Sequence, residues 1–189
     1  MKYLVVVDMQ NDFVTGALKN EDAEKIIPNV IAKVQQYEAD PEGKIFFTKD
    51  THNSSYLDTI EGTKLPVAHC IEGTSGWELI PELNKYPNHH IIPKVTFGSA
   101  KLGNMIRNDI FEEWIDGNTE CSIEVIGLCT DICVLSNATL LKAFCPNTPI
   151  TVDAACCAGV TPESHDNALN AMKMIHINVI NQGEEPWRK

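Results

Sequence analysis

The chain has no cluster of lysine and arginine. Its 15 basic residues are outnumbered by 26 acidic ones, giving a net charge of −11 at pH 7 over 189 residues. Nucleic-acid binding requires a basic face to neutralise phosphates, so no nucleic-acid partner is expected. An acidic surface chiefly favours solubility. Long apolar runs are also missing. The opening run from Tyr3 to Val7 is closed by Asp8, too short for a secretion signal or a bilayer span. The seven cysteines contain no C-x-x-C pair. An odd number without a secretion signal points to free thiols rather than a disulfide framework. Repeats, low-complexity tracts and linkers are absent too. These absences predict a cytoplasmic protein that does not associate with membranes, with a single domain over residues 1–189.

What is present is an alternation of strand and helix patterns. Strands are predicted over 2–8 (KYLVVVD), 44–50 (KIFFTKD), 89–94 (HHIIPK), 121–128 (CSIEVIGL), 149–154 and 176–181. Helices are predicted over 22–40, 100–114 in two pieces, 131–144 and 162–174. In the first of these, Pro28 is tolerable by lying near the start. Thr161 is a plausible N-cap of the last. Residues 51–76 read as a long polar loop, and long ordered loops tend to be functional. Near-continuous apolar strands separated by helices imply an α/β fold, a parallel sheet covered on both faces.

Ligands of such sheets bind beyond the carboxyl ends of the strands. Asp8, Asp50 and Lys94 close the first three strands, and Thr130, Asp131 and Cys133 follow the fourth. An acid, an amine and a thiol therefore arrive at one rim. An ammonium beside a thiol favours the thiolate, and a carboxylate can carry its proton to a leaving amine. Cys133 also opens a helix, where N–H groups and the helix dipole favour an anion. Taken singly, Asp8 could be a cap, Lys94 a surface lysine and Cys133 a core residue. The coincidence of the three favours catalysis.

A second set lies at and beyond strand two. Asp50, His52, Glu61 and His69 combine carboxylate and imidazole, a donor set suited to one divalent metal ion, zinc first, with manganese or iron as alternatives. Positions left open to water fit a catalytic site. His89, His90, His165 and His176 are read as solvated, and Cys156 and Cys157 as structural.

These residues fall in motifs that together resemble the nicotinamidase/pyrazinamidase branch of the isochorismatase-like cysteine hydrolases: VVVDMQNDF (5–13), KDTH (49–52), HCIEGTSGWEL (69–79), PKVTFGSA (93–100) and GLCTDICVLSNA (127–138). The resemblance implies a six-stranded parallel sheet with helices on both faces, a Rossmann-like three-layer arrangement. It implies a catalytic triad of Asp8, Lys94 and Cys133, and a non-proline cis peptide between Leu128 and Cys129. It further implies an oxyanion hole from the N–H groups of Cys129 and Cys133, and metal ligation by Asp50, His52 and His69, with Glu61 as an added carboxylate. Homo-oligomers are common in such families.

The activity so implied is deamidation of nicotinamide, and of pyrazinamide, through a cysteine thioester. Alternatives are another cysteine amidase acting on carbamoyl or ureido substrates, or a catalytically silent metal- or thiol-binding protein on this scaffold. Phe13 and Phe97 stand within motifs that carry triad residues, and with Leu18 they are the expected substrate contacts. Many nicotinamidases carry an aromatic residue shortly before the metal histidine. Here the stretch is Lys64-Leu65-Pro66-Val67-Ala68-His69, so one pocket wall is expected to be softer.

Overall fold

The computed structural model describes residues 1–86 and 89–188. Six strands form one wholly parallel sheet: β1 (Lys2–Val7), β2 (Gly43–Asp50), β3 (His90–Lys94), β4 (Ser122–Leu128), β5 (Ile150–Ala158) and β6 (Asn178–Ile180). Their spatial order is β3-β2-β1-β4-β5-β6. The chain runs outward from β1 in one direction, then crosses back to β4 and runs outward in the other. The reversal between β1 and β4 is the topological switch point, where open α/β sheets bind ligands.

The helices are α1 (Asn11–Val14), α2 (Glu21–Ala39), α3 (Ile60–Lys64), α4 (Ala100–Ile115), α5 (Leu135–Phe144) and α6 (Pro162–Met174). Helix α2 packs on β5, β2, β1 and β4, whereas α4, α5 and α6 pack side by side as a separate layer. The apolar runs of β1 and β4 lie between these layers and are almost wholly buried. All seven cysteines are free thiols. No helix among the described residues is long and apolar enough to cross a membrane.

Several elements depart from the sequence reading. Helix α4 is continuous, not two pieces. Gly103 looks like a break, but a Cβ there would lie 2.4 Å from the Phe144 ring, so the glycine serves close approach of α4 to α5. Pro28 is the eighth residue of α2 rather than near its start. The helix continues past it with Ile26, Val30 and Val34 fully buried, and Asn29 donates to the Ala155 carbonyl at 2.8 Å. Strand β5 runs four residues beyond its predicted end, because Cys157 and Ala158 pair with Gly127 and Leu128 after a register shift in β4. The 51–76 segment is not plain loop: it holds a 3₁₀ turn at Tyr56–Asp58 and helix α3, capped by Thr59. The α6 cap is as predicted, with Thr161 and Ser164 forming a reciprocal capping box.

Candidate active site

Asp8 follows β1 directly and adopts φ +48°, a left-handed conformation uncommon for a residue with a side chain. Such strain costs about 1–3 kcal/mol and persists where the surroundings over-determine it. Here the Asp8 N–H donates to the Thr48 carbonyl and hydroxyl, and the Thr48 hydroxyl donates to Asp8 Oδ1 at 2.6 Å. On the other side β4 comes very close at Gly127 (φ +115°), where a Cβ would lie 2.2 Å from the Val7 carbonyl oxygen. Asp8 is thereby fixed, fully buried, at the switch point.

Lys94, the last residue of β3, reaches across to this carboxylate. Its Nζ lies 2.6 Å from Asp8 Oδ2, 3.5 Å from Cys133 Sγ and 3.3 Å from Asp50 Oδ1. Cys133 sits in a π-helical turn, Thr130–Val134, that leads from the cis peptide at Leu128–Cys129 into α5. The three sequence-predicted residues therefore converge on one buried ammonium. Burial pushes the Cys133 thiol well above its ordinary value. The Asp8 charge adds to that rise, and Lys94 opposes it. Burial also raises Asp8, against the pull of Lys94. For Lys94, burial disfavours the charged form, but Asp8, Cys133 and Asp50 outweigh it and hold the ammonium above the usual lysine range. The trio is thus a firm cation between an acid and a thiol, both of which burial makes harder to ionise.

The second predicted set also assembles. One donor atom from each of Asp50, His52, Glu61 and His69 can be chosen so that all four lie within 4.8 Å of one another. His52 Nε2 stands 2.9 Å from Asp50 Oδ2 and 3.7 Å from Glu61 Oε1, and His69 Nε2 is 3.4 Å from Asp50 Oδ2. His69 Nδ1 lies 2.8 Å from the Val67 carbonyl, which can only accept. That bond puts a proton on Nδ1 and turns Nε2 toward the cluster, the ring atom a metal would take in place of a proton. Burial acts to raise Asp50, but His52, His69 and Lys94 reverse this and hold it ionised, well below the usual carboxylate range. Tyr56 is buried against both histidine rings, at centroid distances of 4.5 and 4.8 Å. Donor types and spacing fit a divalent cation.

A cavity of about 880 Å³ opens onto both sets. It is lined by Cys133, Cys129, Asp50, Glu61 and His69, and by the three expected substrate contacts, Phe13, Leu18 and Phe97. Phe13 sets its ring edge-on to His69 at 5.6 Å, while Phe97 is half-exposed at the wall. Leu65 forms part of the wall where an aromatic residue was noted to be missing.

The sequence reading missed the residues that hold these groups in place. Gln10, fully buried, donates to the Asp50 and Trp77 carbonyls and accepts from the Asp50 N–H at 2.6 Å. Asn137 donates to the Cys133 carbonyl at 2.8 Å and to the Phe97 carbonyl, and accepts from the Ser99 N–H. One reading is corrected outright. His165 is not solvated; it is fully buried, bonded to Thr130 and Glu185, because α6 carries it inward against the turn that holds Cys133.

The sequence profile of the isochorismatase domain matches residues 2–183. This chain belongs to the isochorismatase family. Among curated proteins it is 26% identical to a nicotinamidase of Schizosaccharomyces pombe, over 95% of this chain and 92% of that one. Among solved structures, a pyrazinamidase of Pyrococcus horikoshii in complex with zinc superposes with a TM-score of 0.79 at 25% identity, covering 95% of this chain and 98% of that chain. A nicotinamidase/pyrazinamidase from Bacillus subtilis gives 0.76 at 28%, covering 94% and 98%. The six-stranded parallel architecture is that of this family.

Proposed function

We propose that this protein is a nicotinamidase: a one-domain, metal-dependent amidohydrolase that converts nicotinamide, and pyrazinamide, to the acid and ammonia through a Cys133 thioester. The observation that carries this reading is the position of Lys94, whose ammonium touches Asp8, Cys133 and Asp50 at once. It joins a thiol–carboxylate pair to a metal-type donor set in one cavity. The similarity to nicotinamidases and pyrazinamidases over nearly the whole chain supports the same reaction.

In the reaction, Cys133 Sγ attacks the amide carbon as its proton passes to Asp8. Lys94 favours the thiolate and keeps the neighbouring carboxylate oriented. The raised proton affinity of Asp8 suits a group that must take a proton and return it. Asp8 then gives that proton to the departing nitrogen, and ammonia leaves. Water attacks the thioester, again losing a proton to Asp8, and the acid is released with the thiol restored. The N–H groups of Cys129 and Cys133, at the start of the helix that continues into α5, serve as the oxyanion hole.

Asp50, His52, Glu61 and His69 would hold the divalent ion, zinc by donor type. Bound there, the ion offers an electron-pair acceptor for the pyridine nitrogen and so orients the ring. Phe13, Leu18 and Phe97 complete the ring's walls. The seven free thiols support a reducing, cytoplasmic setting, and a homo-oligomer is the proposed assembly. Ammonia release measured on nicotinamide, pyrazinamide and a panel of carbamoyl and ureido amides tests the function. Turnover confined to the carbamoyl or ureido compounds would replace this reading with that of the alternative amidase.

A further inference from the structure

We propose that His165 is a positioning residue for the reaction at Cys133, acting through Thr130 and held in turn by Glu185. The inference rests on the nucleophile role given to Cys133 above. Three side chains form a continuous polar chain: Thr130 Oγ1 lies 2.8 Å from His165 Nδ1, and His165 Nε2 lies 3.1 Å from Glu185 Oε1. All three residues have 0% exposure. The order is hydroxyl, imidazole, carboxylate, but no substrate can reach it. Its role is to hold geometry.

The proton positions follow from the partners. Glu185 is ionised: burial raises it, but Arg188 and backbone donors, among them the Gly183 N–H, outweigh burial and hold it below the usual range. An ionised carboxylate can only accept, so His165 carries its proton on Nε2. Burial keeps the imidazole neutral by lowering its basicity. Nδ1 is then an acceptor and the Thr130 hydroxyl must donate to it. Each member thus fixes the next. His165, Asp166 and Glu185 also have the composition of a metal site, yet the Arg188 guanidinium fills it, bonding Asp166 at 2.6 Å and Glu185 at both carboxylate oxygens.

Thr130 is the first residue of the turn that carries Cys133. The next residue, Asp131, accepts from the Val160 N–H with both oxygens, at 3.1 and 3.2 Å. Gly159 lies so close to α6 that a Cβ would fall 2.8 Å from His165 Cβ. Trp187 closes the far side, with its ring edge-on to His165 at 5.0 Å and its indole N–H on the Cys157 carbonyl. The turn is therefore held from one side by this chain and from the other by Asn137. A buried polar chain seldom improves on apolar packing in stability, and its clearer gain is a single defined arrangement. Here the arrangement so defined is that of the nucleophile turn, and it reaches the C-terminal segment, which delivers Glu185.

The test compares Thr130→Val, Thr130→Ser, His165→Leu, Glu185→Gln and the double variant Thr130→Val/Glu185→Gln. Because positioned groups act in the transition state, Thr130→Val should lower kcat about tenfold or more with KM within about twofold, while Thr130→Ser restores it to within about threefold. Members of one chain are not independent, so the double variant should lose no more than its worse single parent. Alkylation of Cys133 by iodoacetamide should slow in Thr130→Val and recover in Thr130→Ser, with no substrate needed. His165→Leu should follow Thr130→Val; if it fails to fold, the near-isosteric Thr130 pair decides alone. Wild-type protein that leaves nicotinamide intact refutes the proposed function, whereas the alkylation comparison still decides this inference. Undiminished kcat and alkylation in Thr130→Val, losses that multiply in the double variant, or losses that Thr130→Ser shares would each overturn it.

Discussion

The Nζ of Lys94 stands 3.3 Å from Asp50 Oδ1 while holding Asp8 at 2.6 Å. One buried cation thus lies between the carboxylate of Asp8, beside Cys133, and a carboxylate of the metal-type cluster. Neither acid is solvated, and the removal of one partner from a buried pair costs about 3–5 kcal/mol, because the remaining charge has nothing to answer it. Lys94→Ala should therefore abolish turnover and also destabilise the fold by an amount of this order. Urea unfolding of the variant beside wild type measures it. A variant as stable as wild type would mean that the two carboxylates are not both charged in the native protein.

The cavity reaches two thiols, Cys129 and Cys133, but only Cys133 lies beside the Lys94 ammonium. Iodoacetamide should label Cys133 before the other six cysteines, and Cys133→Ala should lose all turnover with the fold intact. Burial holds this thiol well above its ordinary value, so its thiolate fraction, and with it the labelling rate, should climb as pH rises through the alkaline range. Removing the cation in Lys94→Ala should move that climb to higher pH. Labelling profiles that coincide in the two proteins would remove Lys94 from thiol activation.

Much of this site could be read from the sequence, and the limits of that reading have a physical cause. Asp8, Asp50 and Lys94 are charged residues closing apolar strands, and a parallel sheet brings strand ends to one rim. The residues that brace them carry no such mark. Thr48 and Asn137 are neutral and sit inside apolar segments, and their partners are some forty residues away, in Asp8 and Phe97. His165 gave an imidazole on a polar-looking helix; what buries it is the C-terminal turn, whose Trp187 and Glu185 no periodicity links to α6. A parallel sheet covered on both faces was legible from the alternation, and its six-stranded form from the family resemblance. The 51–76 segment was not, because α3 is a single capped turn held by Thr59 and its neighbours rather than by an amphipathic stripe.

Glu61 is brought to the cluster by that short helix, with its side chain more exposed than those of Asp50, His52 and His69. The three buried donors should dominate affinity. His52→Ala should lose the ion and most nicotinamidase activity, whereas Glu61→Gln should weaken binding while retaining measurable occupancy. Metal analysis of purified protein, with thermal denaturation with and without a chelator, reads both, since an ion that binds only the native state raises Tm. Well under one ion per chain in a fully active preparation would rule out the metal's part in the reaction.

Phe13 is the side chain that links the cavity's apolar wall to the cluster, packing edge-on to His69 at 5.6 Å. A flat heteroaromatic ring whose nitrogen faces the cluster would lie within its reach, and aromatic contacts contribute about 0.5–1.5 kcal/mol beyond area burial. Such a contact is present in the ground state and the transition state alike, so Phe13→Ala should raise KM for nicotinamide more than it lowers kcat. Leu65, also in the wall, supplies no ring face. Discrimination between nicotinamide and pyrazinamide should accordingly be weak, and Leu65→Trp should sharpen it. The deciding measurement is kcat/KM for nicotinamide beside an aliphatic amide of similar size. Equal values would mean that no aromatic pocket is formed, and the cavity would then belong to an amidase of carbamoyl or ureido compounds.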